Sequence, residues 1–137
     1  MIRIEVKSNE YKIVNNQDDL VLYTIDLNEE LACTFFSSKL EKACLGRNLT
    51  TEQLVKLFSE INPENILDQE LINIHIVGGD ESEKTEQYLK KLLAQLQIID
   101  NNSDIINIKS FDVGTRIHPN SFEFDCYHGG IRKIDYS

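Results

Sequence analysis

Basic residues, cysteines and long apolar runs are all scarce in this chain, and each shortage removes a class of function. Lys and Arg number 14 against 23 Asp and Glu, which leaves a net charge of −9 over 137 residues. No basic run is longer than a pair such as Lys90-Lys91. A nucleic-acid binder needs a basic patch to displace counterions from the phosphate backbone, so no nucleic-acid partner is expected. The same acidity suits a protein partner with a basic surface, or serves solubility alone. No apolar run approaches the roughly 20 residues of a membrane span. "MIRIEVKSNE" alternates instead of forming the apolar block of a signal peptide. A cytoplasmic location with no membrane partner is therefore expected. Cys33, Cys44 and Cys126 are odd in number and widely spaced, unlike the dense, even framework of a secreted disulfide scaffold. Reduced thiols, mostly buried, are the simplest reading. Repeats, linkers and low-complexity tracts are missing too. The chain reads as a single domain over residues 1–137, long enough to build a core without metals or disulfides.

What is present is a series of strands interrupted by two helices. Ile2, Ile4 and Val6 alternate with charged residues, as a half-buried strand does. "YKIVNNQDD" is a weak strand or a loop. "LVLYTIDL" and "LACTFFSS" are rich in strand formers, and "SKLEK" turns the second of these into "ACLGRNL". Thr50 with Gln53 fits a capping box, and Leu54, Leu57, Phe58 and Ile61 lie on one face, so the first helix spans about 51–61. Pro63 marks the break after it. "ELINIHIVGG" offers no polar face and is read as a central strand covered on both sides. Asp80 and Glu83 suggest a second capping box, ahead of a long helix over about 82–98 that carries Tyr88, Leu89, Leu92, Leu93, Leu96 and Ile99. "IINIKSF" is a further strand. Phe122, Phe124 and Cys126 alternate with acidic residues, and His128-Gly129-Gly130 turns that strand into "IRKIDY", a C-terminal hairpin. The expected fold is α+β: two helices packed on a largely antiparallel sheet or sandwich.

Simple site motifs fail one by one. Gly78-Gly79 sits between a strand and a helix N-terminus, where anions bind. Asp80, Glu81 and Glu83 crowd that position with negative charge, and no Lys-Ser/Thr pair follows, so it is not a P-loop. Cys126 and His128, on a strand, would share one face, but two ligands do not make a zinc site. No metal and no cofactor are expected. His75, inside the apolar strand, reads as a neutral core histidine with one bonded nitrogen, or as a catalytic imidazole.

The order of elements resembles the chemoreceptor glutamine deamidase family, CheD, whose fold is shared with the catalytic domain of the cytotoxic necrotizing factor toxins. The stretches that carry the resemblance are "INIHIVGG", the helix "SEKTEQYLKKLLAQLQIID", "INIKSFDVGTR" with its arginine Arg116, and "FEFDCYHGGIRKI". In the first half, Thr24 and Cys33 are similar in placement to the family's threonine and nucleophilic cysteine. The likeness covers roughly residues 20–134 as a pattern of elements. It implies a cysteine amidohydrolase acting on protein glutamine, with Cys33, Thr24, Asn48 and His75 as the candidate site residues.

The departures bear on that activity. The family's histidine falls some fifteen to seventeen residues after its cysteine, where this chain reads Asn48-Leu49-Thr50. Asn48 can orient a group or donate to an oxyanion, but it cannot take a proton from a thiol. A cysteine nucleophile needs a lowered pKa, normally from an imidazole. Either His75 or His128 reaches Cys33 from another strand, or the site is degenerate. Three readings follow. The chain is a deamidase-like domain that has lost its base and acts as a protein-binding module. Alternatively it is an active cysteine-dependent deamidase, or else a small acidic interaction or immunity-type protein. On the first reading Cys33 lies on a strand with Leu31 and Phe35 on its side of the pleat, and no imidazole touches it.

Overall fold

The structure, a computed structural model, describes residues 1–16, 19–114 and 120–134. Arg116, His118 and the Asp135-Tyr136 end of the closing hairpin lie outside the described residues. The elements run β1 (Ile2–Glu5), β2 (Glu10–Asn15), β3 (Leu20–Thr24), β4 (Leu31–Ser37), β5 (Lys42–Arg47), α1 (Thr51–Ile61), β6 (Ile72–Gly78), α2 (Glu83–Asp100), β7 (Ile106–Val113), β8 (Ser121–Asp125) and β9 (Ile131–Ile134). The fold is α+β, with the two helices and the C-terminal hairpin where the sequence places them.

The strands form two sheets. One has the order β1-β3-β8-β9, the other β2-β5-β4-β6-β7. Within them β1 with β3 and β6 with β7 are parallel, and the other pairs are antiparallel. "YKIVNN", weak in sequence, is the strand β2. It lies at an edge, and antiparallel pairing with β5 supplies the order that its polar composition does not.

Three layers result, because the five-stranded sheet carries buried apolar residues on both faces. On one face Leu31, Cys33, Phe35, Cys44, Ile72, Ile74 and Ile76 meet Leu54, Leu57, Phe58 and Ile61 of α1 and Leu92 and Leu96 of α2. On the other face Ala32, Ala43, Leu45 and Val77 meet Leu20, Leu22, Phe122 and Phe124 of the four-stranded sheet. The central strand of the larger sheet is β4, and β6 is its neighbour, one strand in from the edge. This corrects the expectation that β6 lacks a polar face. Asn73 and His75 alternate with Ile72, Ile74 and Ile76, so they point away from the helices. They find partners on β7: Asn107 Nδ2 donates to Asn73 Oδ1 at 3.1 Å, and His75 Nδ1 lies 2.6 Å from Ser110 Oγ.

The helix caps agree with the sequence at one end only. Thr50 and Gln53 make the full reciprocal capping box of α1. The cap of α2 is Ser82, whose hydroxyl accepts from the Thr85 N–H, not Asp80. Asp80 instead accepts from the Ser82 N–H and the Thr85 hydroxyl. Asn101 ends α2 in the left-handed conformation, φ 47°, a role usually filled by glycine and sometimes by asparagine. No helix among the described residues is long and apolar enough to cross a membrane.

Candidate functional site

Cys33 answers to its place in the pleat. It sits on β4 facing the helices, between Leu31 and Phe35, and is 4% exposed. Gly46 of β5 lies directly opposite. A side chain at Gly46 would run into Leu49, so the missing Cβ lets Leu49 fold back over this part of the strand pair. Tyr88 of α2 donates from its hydroxyl to the Leu49 carbonyl at 2.7 Å and so closes the same corner. Burial pushes the Cys33 thiol up to about 12. A charge on Cys33 and a charge on Tyr88 would each disfavour the other, and the Tyr88 phenol is also raised, mainly by burial. Cys44, on the same face, is raised by burial and by its neighbour Cys33.

The other candidate residues do not converge on Cys33. His75 pairs with Thr34, one position along from the Cys33–Ile76 pair. One step along a strand reverses the side chain, so His75 faces the other sheet while Cys33 faces the helices. The two are therefore separated by the five-stranded sheet itself. This is the correction to His75 as a catalytic partner of Cys33. Its imidazole is instead held by Ser110, and burial lowers its pKa against the opposing pull of the Gly129 backbone. His128 cannot serve either: its Nδ1 is 2.8 Å from Asp125 Oδ2, in the exposed turn between β8 and β9. That turn also corrects the expected shared face of Cys126 and His128. Cys126 points into the core between the sheets and His128 points out.

Thr24 is committed elsewhere. Its hydroxyl donates to the Val6 carbonyl at 2.8 Å and accepts from Arg47 Nη1 at 3.1 Å. Arg47 is the residue that sequence reasoning missed. Its guanidinium also reaches the Ile25 carbonyl at 2.6 Å, the Asp26 carbonyl at 3.1 Å and Glu30, at 2.8 Å from Nη2. This planar fork pins the β3–β4 connection to the end of β5. The only sequence signal was a lone arginine after Gly46 at the close of an apolar strand.

Asn48 stands just beyond that staple, with φ 51°. Its backbone N–H donates to the Leu31 carbonyl at 2.9 Å and its carbonyl accepts from the Asn9 amide at 2.8 Å. Asn48 lines a surface groove with two lobes. One lobe, about 330 Å³, is lined by Asn9, Leu49, Thr51, Leu54 and Leu92; the other, about 280 Å³, by Glu29, Glu30, Lys84 and Gln87. Asn48, Tyr88 and Lys91 line both. Tyr88 was legible in the sequence as a residue on the helix face, but nothing there set it beside Asn48. Among the described residues no group of three or more His, Cys, Asp or Glu side chains is placed to hold a metal.

Comparison with known proteins gives kinship without an activity. No family model matches the chain. Over 70 residues it is 46% identical to uncharacterized protein RC0132 of Rickettsia conorii, an alignment that spans 51% of this chain and 93% of that protein. At that identity, over nearly the whole of the rickettsial protein, the chain belongs to the same family as RC0132.

Proposed function

We propose that the chain is a protein-binding module on a deamidase-like frame, with Cys33 a core residue and not a nucleophile. The observation that carries this reading is the burial of Cys33 beneath Leu49 and Tyr88, with its thiol pushed up to about 12. A thiolate is the nucleophile in cysteine chemistry, and at that pKa its fraction at neutral pH is negligible. The likeness to the deamidases rests on the order of elements, with β6, α2, β7 and the β8–β9 hairpin in succession. The groove beside Asn48 supports binding, since it is concave and places side-chain groups at the surface. The net charge of −9 favours a partner with a basic surface.

The test is ammonia release from a glutamine-containing peptide and from a basic protein substrate, comparing the wild type with Cys33→Ala. The two proteins should be alike, at the level of buffer. Release that depends on Cys33 would restore the active-enzyme reading.

A further inference from the structure

We infer that the two-lobed groove captures the terminal carboxylate of a peptide whose last side chain is apolar. This rests on the protein-binding reading and names how a partner is anchored.

The charges around the groove do not cancel. Glu29 is paired with Lys84 at 2.8 Å, and Glu30 is paired with Arg47. On α2, Lys90 is paired with Glu86 at 3.3 Å. Lys91 has no ion-pair partner among the described residues, so one cation is left over where the two lobes meet. Lys91 is thus, among the described residues, the unpaired cation of a wall whose other charges, Glu29, Glu30 and Lys84, are paired. The acidic remainder repels a carboxylate only weakly beyond about 8 to 10 Å, where salt screens it.

Asn48 supplies a second donor. Its backbone bonds are already made, as described above, while its half-buried side-chain amide has no partner among the described residues. A half-buried amide gains from a hydrogen bond that water supplies poorly. Asn48 and Lys91 line the same wall, and an amide N–H₂ and an ammonium can both donate to one acceptor, so a group with negative charge suits them. A carboxylate fits, and a cation or a bare hydrocarbon does not.

The lobes supply the rest of the specificity. Leu49, Leu54 and Leu92 floor one lobe, beside the Tyr88 ring. Its volume of about 330 Å³ accepts an aliphatic side chain with room to spare. The other lobe is polar, with Gln87 and the Glu29–Lys84 pair at its rim, and suits the preceding backbone. A C-terminal residue carries an apolar side chain and a carboxylate on the same carbon, and Asn48, Tyr88 and Lys91 line both the apolar lobe and the polar one. Capture of a chain terminus is a recurring mode of peptide recognition.

The experiment is a titration of ¹⁵N-labelled protein followed by amide chemical shifts. Four probes are used: N-acetyl-leucine, N-acetyl-leucinamide, acetyl-Ala-Ala-Leu with a free terminus, and acetyl-glutamate amide. The two free-terminus leucine probes should shift Asn48, Tyr88 and Lys91, with the tripeptide the tighter. The leucinamide and the glutamate amide should not. Lys91→Gln and Asn48→Gly should each weaken the tripeptide about fivefold while leaving the rest of the spectrum in place. Glycine is chosen because position 48 has a positive φ. Equal binding of acid and amide, shifts outside the groove, no shift at all, or wild-type affinity in Lys91→Gln would each overturn the inference. Equal binding of N-acetyl-leucine and the tripeptide would also overturn it, in favour of a free small carboxylic acid. None of these results touches Cys33, so the proposed function stands or falls separately.

Discussion

The two faces of the five-stranded sheet differ in kind. The face toward the helices is uniformly apolar: Leu31, Cys33 and Phe35 on β4, and Ile72, Ile74 and Ile76 on β6. The face toward the other sheet mixes Ala32, Ala43, Leu45 and Val77 with Thr34, Asn73 and His75. Polar side chains on that side are tied locally, as His75 is to Ser110 and the His75 N–H is to the Thr34 hydroxyl at 3.2 Å. Cysteine and histidine, adjacent in register, were thus sorted by the pleat into different environments. A pair that looks catalytic in sequence becomes a core thiol and a half-buried imidazole on opposite faces.

The largest effect should come from thinning the helix-side face. Phe35 is fully buried and meets Phe58 edge-on at 5.5 Å. Phe35→Ala and Leu92→Ala should each cost about 2 to 5 kcal/mol in urea denaturation. A loss below about 1 kcal/mol for Leu92→Ala would mean that α2 does not complete this core. On the opposite face, over-packing is the sharper probe. Gly129 has φ 78°, and a Cβ there would meet the Phe36 ring at 2.7 Å. Gly129→Ala should therefore destabilise by about 1 to 3 kcal/mol, and neutrality would show that the β8–β9 turn is not packed on the larger sheet.

The helix-side thiols should also make the protein alkali-sensitive. The folded pKa of Cys33 is raised from 9.0 to about 12. The unfolded chain loses that proton first, so the stabilisation is complete below pH 9 and is lost as pH rises toward 12. The slope is about 1.4 kcal/mol per pH unit for one thiol. Cys33→Ala should have the shallower alkaline slope, and an unchanged slope would mean that Cys33 is not buried.

The smallest effect belongs to His75, on the other face, and has the opposite sign. Its folded pKa lies below the ordinary 6.5, so the unfolded chain takes up the proton first. Stability should fall as pH drops below 6.5, and His75→Gln should blunt that fall. An identical acid limb in the variant would show that His75 titrates as freely in the fold as out of it.

These contrasts also show what a single sequence discloses. Periodicity located both helices and most strands, because Leu54, Leu57, Phe58, Leu92 and Leu96 repeat at the spacing of a buried helix face. The Thr50–Gln53 box was readable because its partners are three residues apart. Strand order was not readable, and with it went the site: whether His75 can reach Cys33 depends on which residue of β6 faces which residue of β4. Arg47 and the groove escaped for the same reason. Arg47 bonds to residues between Thr24 and Glu30, and Tyr88 bonds to Leu49; no local pattern records such distant partners. Asp80 was mistaken for the cap of α2 because an aspartate three residues before a glutamate matches the same box that Ser82 and Thr85 fill in part.

The rate of Cys33 alkylation tests the central claim most directly. Native protein is treated with iodoacetamide at neutral pH, and each cysteine is followed by peptide mass mapping. Cys33, Cys44 and Cys126 are all buried, and Cys126 too is pushed up, to about 11. All three should react far more slowly than a free thiol, and should be released together when urea unfolds the chain. Fast alkylation of Cys33 alone, with Cys44 and Cys126 spared, would mean an accessible thiolate on β4 and would contradict the account.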